Sequence, residues 1–262
     1  MQRLEGRVAV VTGGGRGIGR GAALALAGLG AAVAVLARSA GEVTAVAGEI
    51  TATGGRAVAR AVDVSDGAAI TAAIAEVERA LGPIAILINN AAVLGPISPT
   101  AESDPDEWER TITINVAGAY RCLRAVLPGM LERRWGRIVN VSSGAATGSG
   151  IPNASAYSVS KAALDMLTRA VAAEIASSGV TVNALYPGVV DTTMQTALRS
   201  TPAERLGAET SARFHSYYER GELHDPAESG RLIAALVLSE LHGEIVSARE
   251  ERVEALLRTL AG

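Results

Sequence analysis

From residue 7 to about residue 185 the chain alternates short apolar runs with stretches of helical length, and this alternation limits the fold more than any other feature. Residues 7–12, 31–37, 56–61, 85–88, 137–141 and 180–185 read as strands. Between them lie helical patterns over residues 17–29, on to about 53, then 66–80, 104–116, 118–133 and about 155–177. Strands that are apolar on both faces and joined by helices make a parallel sheet covered on both sides. Right-handed crossovers then predict a Rossmann-type, doubly wound α/β/α sheet. No Pro/Ser-rich linker, internal repeat or low-complexity tract breaks the pattern, so residues 1–262 are expected to form one domain.

Composition narrows the class. A chain that is 48% hydrophobic is not disordered, and its 29 glycines show no Gly-X-Y period. A net charge of −3 gives no basic field, so no nucleic-acid partner is expected. No apolar run reaches the roughly 20 residues of a membrane span. Cys122, the single cysteine, excludes an internal disulfide and is expected as a small apolar residue on a helix. The three histidines, His215, His224 and His242, lie apart, and no metal site is expected. Residues 1–6 lead into the first strand without the pattern of a signal peptide, so a cytoplasmic setting is expected. Towards the C-terminus the pattern loosens. Residues 193–225 hold Phe214, Tyr217 and Tyr218; a helix over 227–238 and a short strand near 244–246 follow. In the tail, Val253, Leu256, Leu257 and Leu260 share one helical face, expected to pack on the chain's own domain.

The first strand ends in Thr12-Gly13-Gly14-Gly15-Arg16-Gly17-Ile18-Gly19, and a helix follows at once. Glycines there let the backbone turn tightly and approach a pyrophosphate, which sits on the N–H groups of the helix N-terminus. The end of the second strand discriminates between nicotinamide cofactors: an acid bonds the adenosine ribose, an arginine accepts a 2′-phosphate. Here Ala37-Arg38-Ser39 carries no carboxylate, and Arg16 adds a second guanidinium, so NADP(H) is expected over NAD(H).

The chain has 24 basic residues, of which Lys161 is the only lysine. Arginine is always charged and planar, whereas lysine offers a compact ammonium of adjustable pKa. Lys161 stands four residues after Tyr157, on one face of a helix, a relation that a randomly placed lysine would reach about one time in fifty with 5 tyrosines present. A phenol with a pKa of about 10 is a poor base at neutral pH. A nearby ammonium and an oxidised nicotinamide ring would both favour phenolate; about three units of lowering corresponds to about 4 kcal/mol. Ser143, at the end of the fifth strand, could hydrogen-bond the reacting oxygen, with Ser142 as the alternative.

These motifs together resemble the short-chain dehydrogenase/reductase family. They stand here as Thr12-Gly13-x-x-x-Gly17-x-Gly19, Asp63-Val64, Asn89-Asn90-Ala91-Ala92, Asn115, Ser143, Tyr157-x-x-x-Lys161 and Pro187-Gly188-Val189-Val190-Asp191-Thr192. The resemblance implies an oxidoreductase interconverting a carbonyl and an alcohol by hydride transfer. Tyr157 would be its acid/base, Ser143 would position the oxygen, and Lys161 would bind the nicotinamide ribose and tune Tyr157. Asn115 would hold a water of the proton relay. The cofactor would lie against Gly13, Gly15, Arg16, Gly17, Ile18 and Gly19, with Arg38 and Ser39 at its phosphate end. Asp63 and Val64 would meet the adenine, Asn90 the ribose side, and Thr192 with Val190 the carboxamide, with Ala91, Ala92, Pro187 and Gly188 also against the cofactor. Residues 193–225 would form the substrate-binding loop region, and a homodimer or homotetramer is implied. The family often has glycine at Ala92, and many members end in a strand followed by Asp-Gly-Gly, which this chain replaces with residues 243–250. Two alternatives remain. One is a 3-oxoacyl-carrier-protein reductase, with Arg121, Arg124, Arg133 and Arg134 docking the carrier; the other is a non-catalytic NADP(H)-binding sensor.

Overall fold

The computed structural model describes residues 4–258 and 260. Its strands are β1 (Val8–Thr12), β2 (Ala32–Ala37), β3 (Ala57–Ala61), β4 (Ile84–Asn89), β5 (Gly136–Val141), β6 (Val180–Tyr186) and β7 (Ile245–Ser247). Between β1 and β4 run α1 (Gly17–Gly28), α2 (Ala40–Ala52) and α3 (Gly67–Leu81); then come α4 (Pro105–Ile112), α5 (Gly118–Glu132) and α6 (Ser155–Glu174). The C-terminal part adds α7 (Thr193–Arg199), α8 (Ala203–Leu206), α9 (Ala208–Glu219), α10 (Pro226–Leu238) and α11 (Arg252–Arg258). All seven strands are parallel, in the order β3-β2-β1-β4-β5-β6-β7.

Alternate residues of each strand feed opposite layers. Ala9 and Val11 of β1 join Leu26, Val43, Ile50 and Ile233 on one face; Val8 and Val10 join Ile70, Val77, Cys122 and Met130 on the other. Cys122 is fully buried on α5, as expected. The layer of α1 and α10 is packed backbone to backbone. A Cβ on Gly230 would lie 2.2 Å from the Gly21 carbonyl carbon, so glycine is what permits the approach. The tail helix α11 packs Val253, Leu256 and Leu257 onto the same layer, within the domain as expected.

At the amino-terminal end of the sheet Trp135 is stacked between Arg7 and Arg137, with guanidinium carbons 3.9 and 4.7 Å from its ring centroid. That end is closed. At the other end, connections leave β1 and β4 in opposite directions, which opens a crevice at the strands' carboxyl ends. Two differences from the sequence reading bear on that end. The helix expected over 104–116 stops at Ile112 and passes into a π turn, Thr113–Ala117, and residues 193–225 contain three short helices rather than a loop. No helix among the described residues is long and apolar enough to cross a membrane, and no cluster of potential metal ligands occurs among them.

Candidate active site

Thr12, the last residue of β1, ties the glycine turn to β4. Its Oγ1 donates to the Ile88 carbonyl and accepts the N–H groups of Asn90 (3.0 Å) and Ala91 (3.1 Å). In return the Asn90 amide donates to the carbonyls of Thr12 and Gly13, at 3.0 and 3.1 Å. Gly13 has φ +61, and a Cβ on Gly19 would sit 2.3 Å from the Gly13 oxygen, so the turn and the start of α1 close on each other only as glycines. No side chain caps α1 and its first turn holds no acid, which leaves its N–H groups available to an anion.

A cavity of about 710 Å³ opens from this turn. Gly13, Gly15, Arg16, Gly17, Ile18, Arg38, Ser39, Asp63, Val64, Asn90, Ala91, Ala92 and Thr192 line it, while Gly19 lies behind, buried in α1. Ser39 caps α2 by accepting the Glu42 N–H. Glu42 also lines the cavity and pairs with Arg16 at 3.5 Å, so an acid absent from the strand end returns one helical turn later. Arg38, exposed, has no such partner among the described residues. Burial alone would raise the Asp63 carboxyl, but hydrogen bonds from Ser65 and the charges of Arg38 and Arg110 hold it below its ordinary value. The glycine turn, the uncapped helix and the elongated cavity fit a dinucleotide.

A second cavity, of about 610 Å³, shares Ile18, Asn90, Ala92, Leu94, Thr192 and Met194 with the first. Ser143, Tyr157, Lys161, Pro187, Gly188 and Val190 line it. Tyr157 and Lys161 lie on the first turns of α6, with the ammonium 5.5 Å from the ring centroid. Lys161 Nζ donates to the Val141 carbonyl at 2.8 Å, anchoring it to the end of β5. Ser143 is half-buried, accepts the Ala145 N–H, and hydrogen-bonds Tyr157. Ser142 is fully buried and turned to the Lys161 carbonyl, so Ser143 is the serine beside the tyrosine.

Burial pushes the Tyr157 phenol above its ordinary value, opposed by the Ser143 hydrogen bond. Burial pulls Lys161 down to about 8, opposed by the charge of Asp165. The lowering of Tyr157 expected from the sequence is therefore not a property of the chain alone. Desolvation outweighs the Ser143 hydrogen bond that opposes it. Asn115 sits in the π turn with its side chain fully engaged: Oδ1 accepts the Val93 N–H, and Nδ2 donates to the Val93 carbonyl and to Ser160 Oγ.

Several lining residues carried no motif. Leu94, Ile151, Met194, Leu198, Phe214 and Tyr217 form apolar walls of the second cavity, and Arg213 and Arg249 stand at its exposed rim. No aspartate or glutamate lines it. Gln195 and Tyr186 were also missed. A tyrosine at the carboxyl end of the sixth strand is the only sequence signal for Tyr186. Of the arginines offered to an acyl carrier, Arg121, Arg133 and Arg134 donate to the carbonyls of Val64, Ile84 and Ser177 of their own domain.

Comparison with known proteins agrees with this geometry. The family model described as short chain dehydrogenase matches residues 7–203, and the chain belongs to the short-chain dehydrogenase/reductase family. It is an oxidoreductase of a family that acts on CH–OH and C=O groups with a nicotinamide cofactor. It is 38% identical over 241 residues to 2-keto-3-deoxy-L-fuconate dehydrogenase of Xanthomonas campestris, covering 91% of this chain and 76% of that protein. It is 42% identical over 196 residues to 2-dehydro-3-deoxy-L-rhamnonate dehydrogenase (NAD(+)) of a Sphingomonas species, covering 72% and 74%. A 3-oxoacyl-acyl-carrier-protein reductase, FabG of Pseudomonas aeruginosa, is 38% identical over 205 residues, covering 78% and 81%. Among solved structures, NAD+-bound xylitol dehydrogenase superposes with a TM-score of 0.86 at 29% identity, covering 94% of this chain and 98% of that one.

Proposed function

We propose that the protein interconverts a carbonyl compound and an alcohol, using NADP(H) in preference to NAD(H). The observation that carries this reading is the grouping of Tyr157, Lys161 and Ser143 in the second cavity, which shares Ile18, Asn90, Ala92 and Thr192 with the first. The cofactor supplies the hydride, or accepts it in the reverse direction. Ser143 orients the reacting oxygen, and Tyr157 gives it a proton or removes one. Lys161 binds the nicotinamide ribose and favours phenolate once a positive nicotinamide adds to its charge. Asn115 pins the Val93 backbone and offers its main-chain carbonyl to a water leading away from Lys161. For the cofactor, Arg38 is the free guanidinium near the end of β2, while Arg16 is partly neutralised by Glu42. Replacing Ala37→Asp with Arg38→Ser is expected to move preference towards NADH by about tenfold or more in kcat/KM. A wild-type enzyme that already prefers NADH would contradict the assignment.

For the substrate, the cavity joins apolar walls to three basic side chains, Lys161, Arg213 and Arg249, in a chain of net charge −3. This supports a substrate bearing a carboxylate, and two relatives are named for 2-keto-3-deoxy-L-fuconate and 2-dehydro-3-deoxy-L-rhamnonate. NADPH consumption by purified protein across 2-oxo acids, neutral ketones and 3-oxoacyl thioesters tests the whole reading. Turnover should be fastest among the oxo acids; inertness towards all three classes would refute it. Tyr120 on α5 and Val159 and Met166 on α6 are exposed, which supports a homodimer or homotetramer built through these two helices. A reducing, cytoplasmic setting suits the free, buried Cys122.

A further inference from the structure

Asp165 is the only buried carboxylate among the described residues, and it lies one helical turn after Lys161 on α6. Residues so spaced hold their Cβ atoms about 5–6 Å apart. Asp165 Oδ2 accepts the Tyr186 hydroxyl from the end of β6, and its Oδ1 is buried without a hydrogen-bond partner. Lys161 is 3% exposed, and its ammonium donates to a neutral group, the Val141 carbonyl. The site thus buries a carboxylate and an ammonium one helical turn apart on α6, each short of partners. Either alone would be strongly disfavoured away from water.

An acceptor for Tyr186 does not explain the carboxylate, because an asparagine would accept the same bond without a buried charge. The lysine does explain it. Burial pulls Lys161 down to about 8, and Asp165 is the charge that opposes that pull. Tyr186, raised by burial and by its bond to Asp165, stays a neutral donor across the working range. The other groups around Lys161 do not supply an anion. Tyr157 on α6 is raised by burial, Ser143 at the end of β5 is neutral, and Arg213 and Arg249 at the cavity rim are cations. Arg169, a further turn along α6, acts on Tyr186.

We propose that Asp165, clamped by Tyr186, is the built-in counter-charge of Lys161, a positioning residue that keeps the ammonium charged and fixed in the second cavity. What the charge is used for rests on the functional reading above; the coupling itself does not. The sole lysine makes the test direct, since protein labelled with 13C-lysine gives one side-chain signal whose pH midpoint is that of Lys161. Asp165→Asn keeps the acceptor for Tyr186 and removes only the charge, and should lower the midpoint by about one pH unit or more in the cofactor-free protein. Tyr186→Phe keeps the charge and removes its clamp, and the midpoint should stay or rise. An unchanged midpoint in Asp165→Asn overturns the proposal, as does an equal fall in Tyr186→Phe. If Asp165→Asn does not fold, Asp165→Ser, which also removes the charge, is read by the same criterion. A midpoint that moves in a protein inert towards every carbonyl tested would break the functional reading and leave the coupling standing. Normal turnover with an unmoved midpoint would do the reverse.

Discussion

The two flanks of the site are built differently. On the cofactor flank, functional groups sit on strand ends and helix starts and are held by buried hydrogen bonds, of which the Thr12–Asn90 exchange is the clearest. On the substrate flank, the walls come from α7 and α9, short helices whose contribution is Leu198, Phe214 and the partly buried Tyr217 in a small apolar cluster of their own. One flank is fixed by directional bonds that tolerate few residue types. The other is fixed by packing, which many apolar residues satisfy. A ligand common to a family fits the first arrangement, and a ligand that differs among members fits the second.

Substitutions can break that contrast or sharpen it. The largest effect is expected at the seam. Lys161→Met should remove nearly all turnover and also weaken cofactor binding, since the residue is assigned to both the ribose and Tyr157; turnover within tenfold of wild type, read by NADPH consumption, would contradict its place. Next comes Thr12→Val, which keeps the shape and removes a buried oxygen that accepts two part-buried N–H groups. A cost of about 1–3 kcal/mol is expected. It should appear as a lower melting temperature and about tenfold weaker NADPH binding by fluorescence titration, with substrate KM at saturating cofactor little changed. Phe214→Ala should do the opposite on a smaller scale. KM should rise several-fold, by opening an apolar wall, while the NADPH dissociation constant stays within about twofold. If both variants disturb both ligands equally, the flanks are not independent.

The same contrast explains what could be read in the sequence. The parallel sheet was legible because wholly apolar runs such as 8–11 and 84–88 admit few other structures. The cofactor flank was legible because glycine at 13 and 19, and an uncapped helix start, are demanded by backbone geometry. Tyr157 and Lys161 were legible through composition, one lysine against an arginine background. The π turn at Thr113–Ala117 was not, because its residues continue a helical pattern and the register changes only where the Asn115 amide engages the Val93 backbone. Nor was Asp165 legible, since an aspartate four residues after a lysine reads as an ordinary surface pair until burial is known. The substrate walls carried no signal either, because an apolar residue on a short helix looks the same whether it faces a core or a cavity.

The central claim is that Tyr157 performs proton transfer at a junction where cofactor and substrate are already bound. Rapid mixing of Tyr157→Phe and wild type with NADPH and an accepted 2-oxo acid separates the two parts. Cofactor fluorescence reports binding, and the loss of NADPH absorbance reports hydride transfer in the same experiment. Both proteins should bind NADPH with dissociation constants within about threefold of each other, while hydride transfer in the variant falls by about a thousandfold. Hydride transfer in Tyr157→Phe within tenfold of wild type would contradict the account.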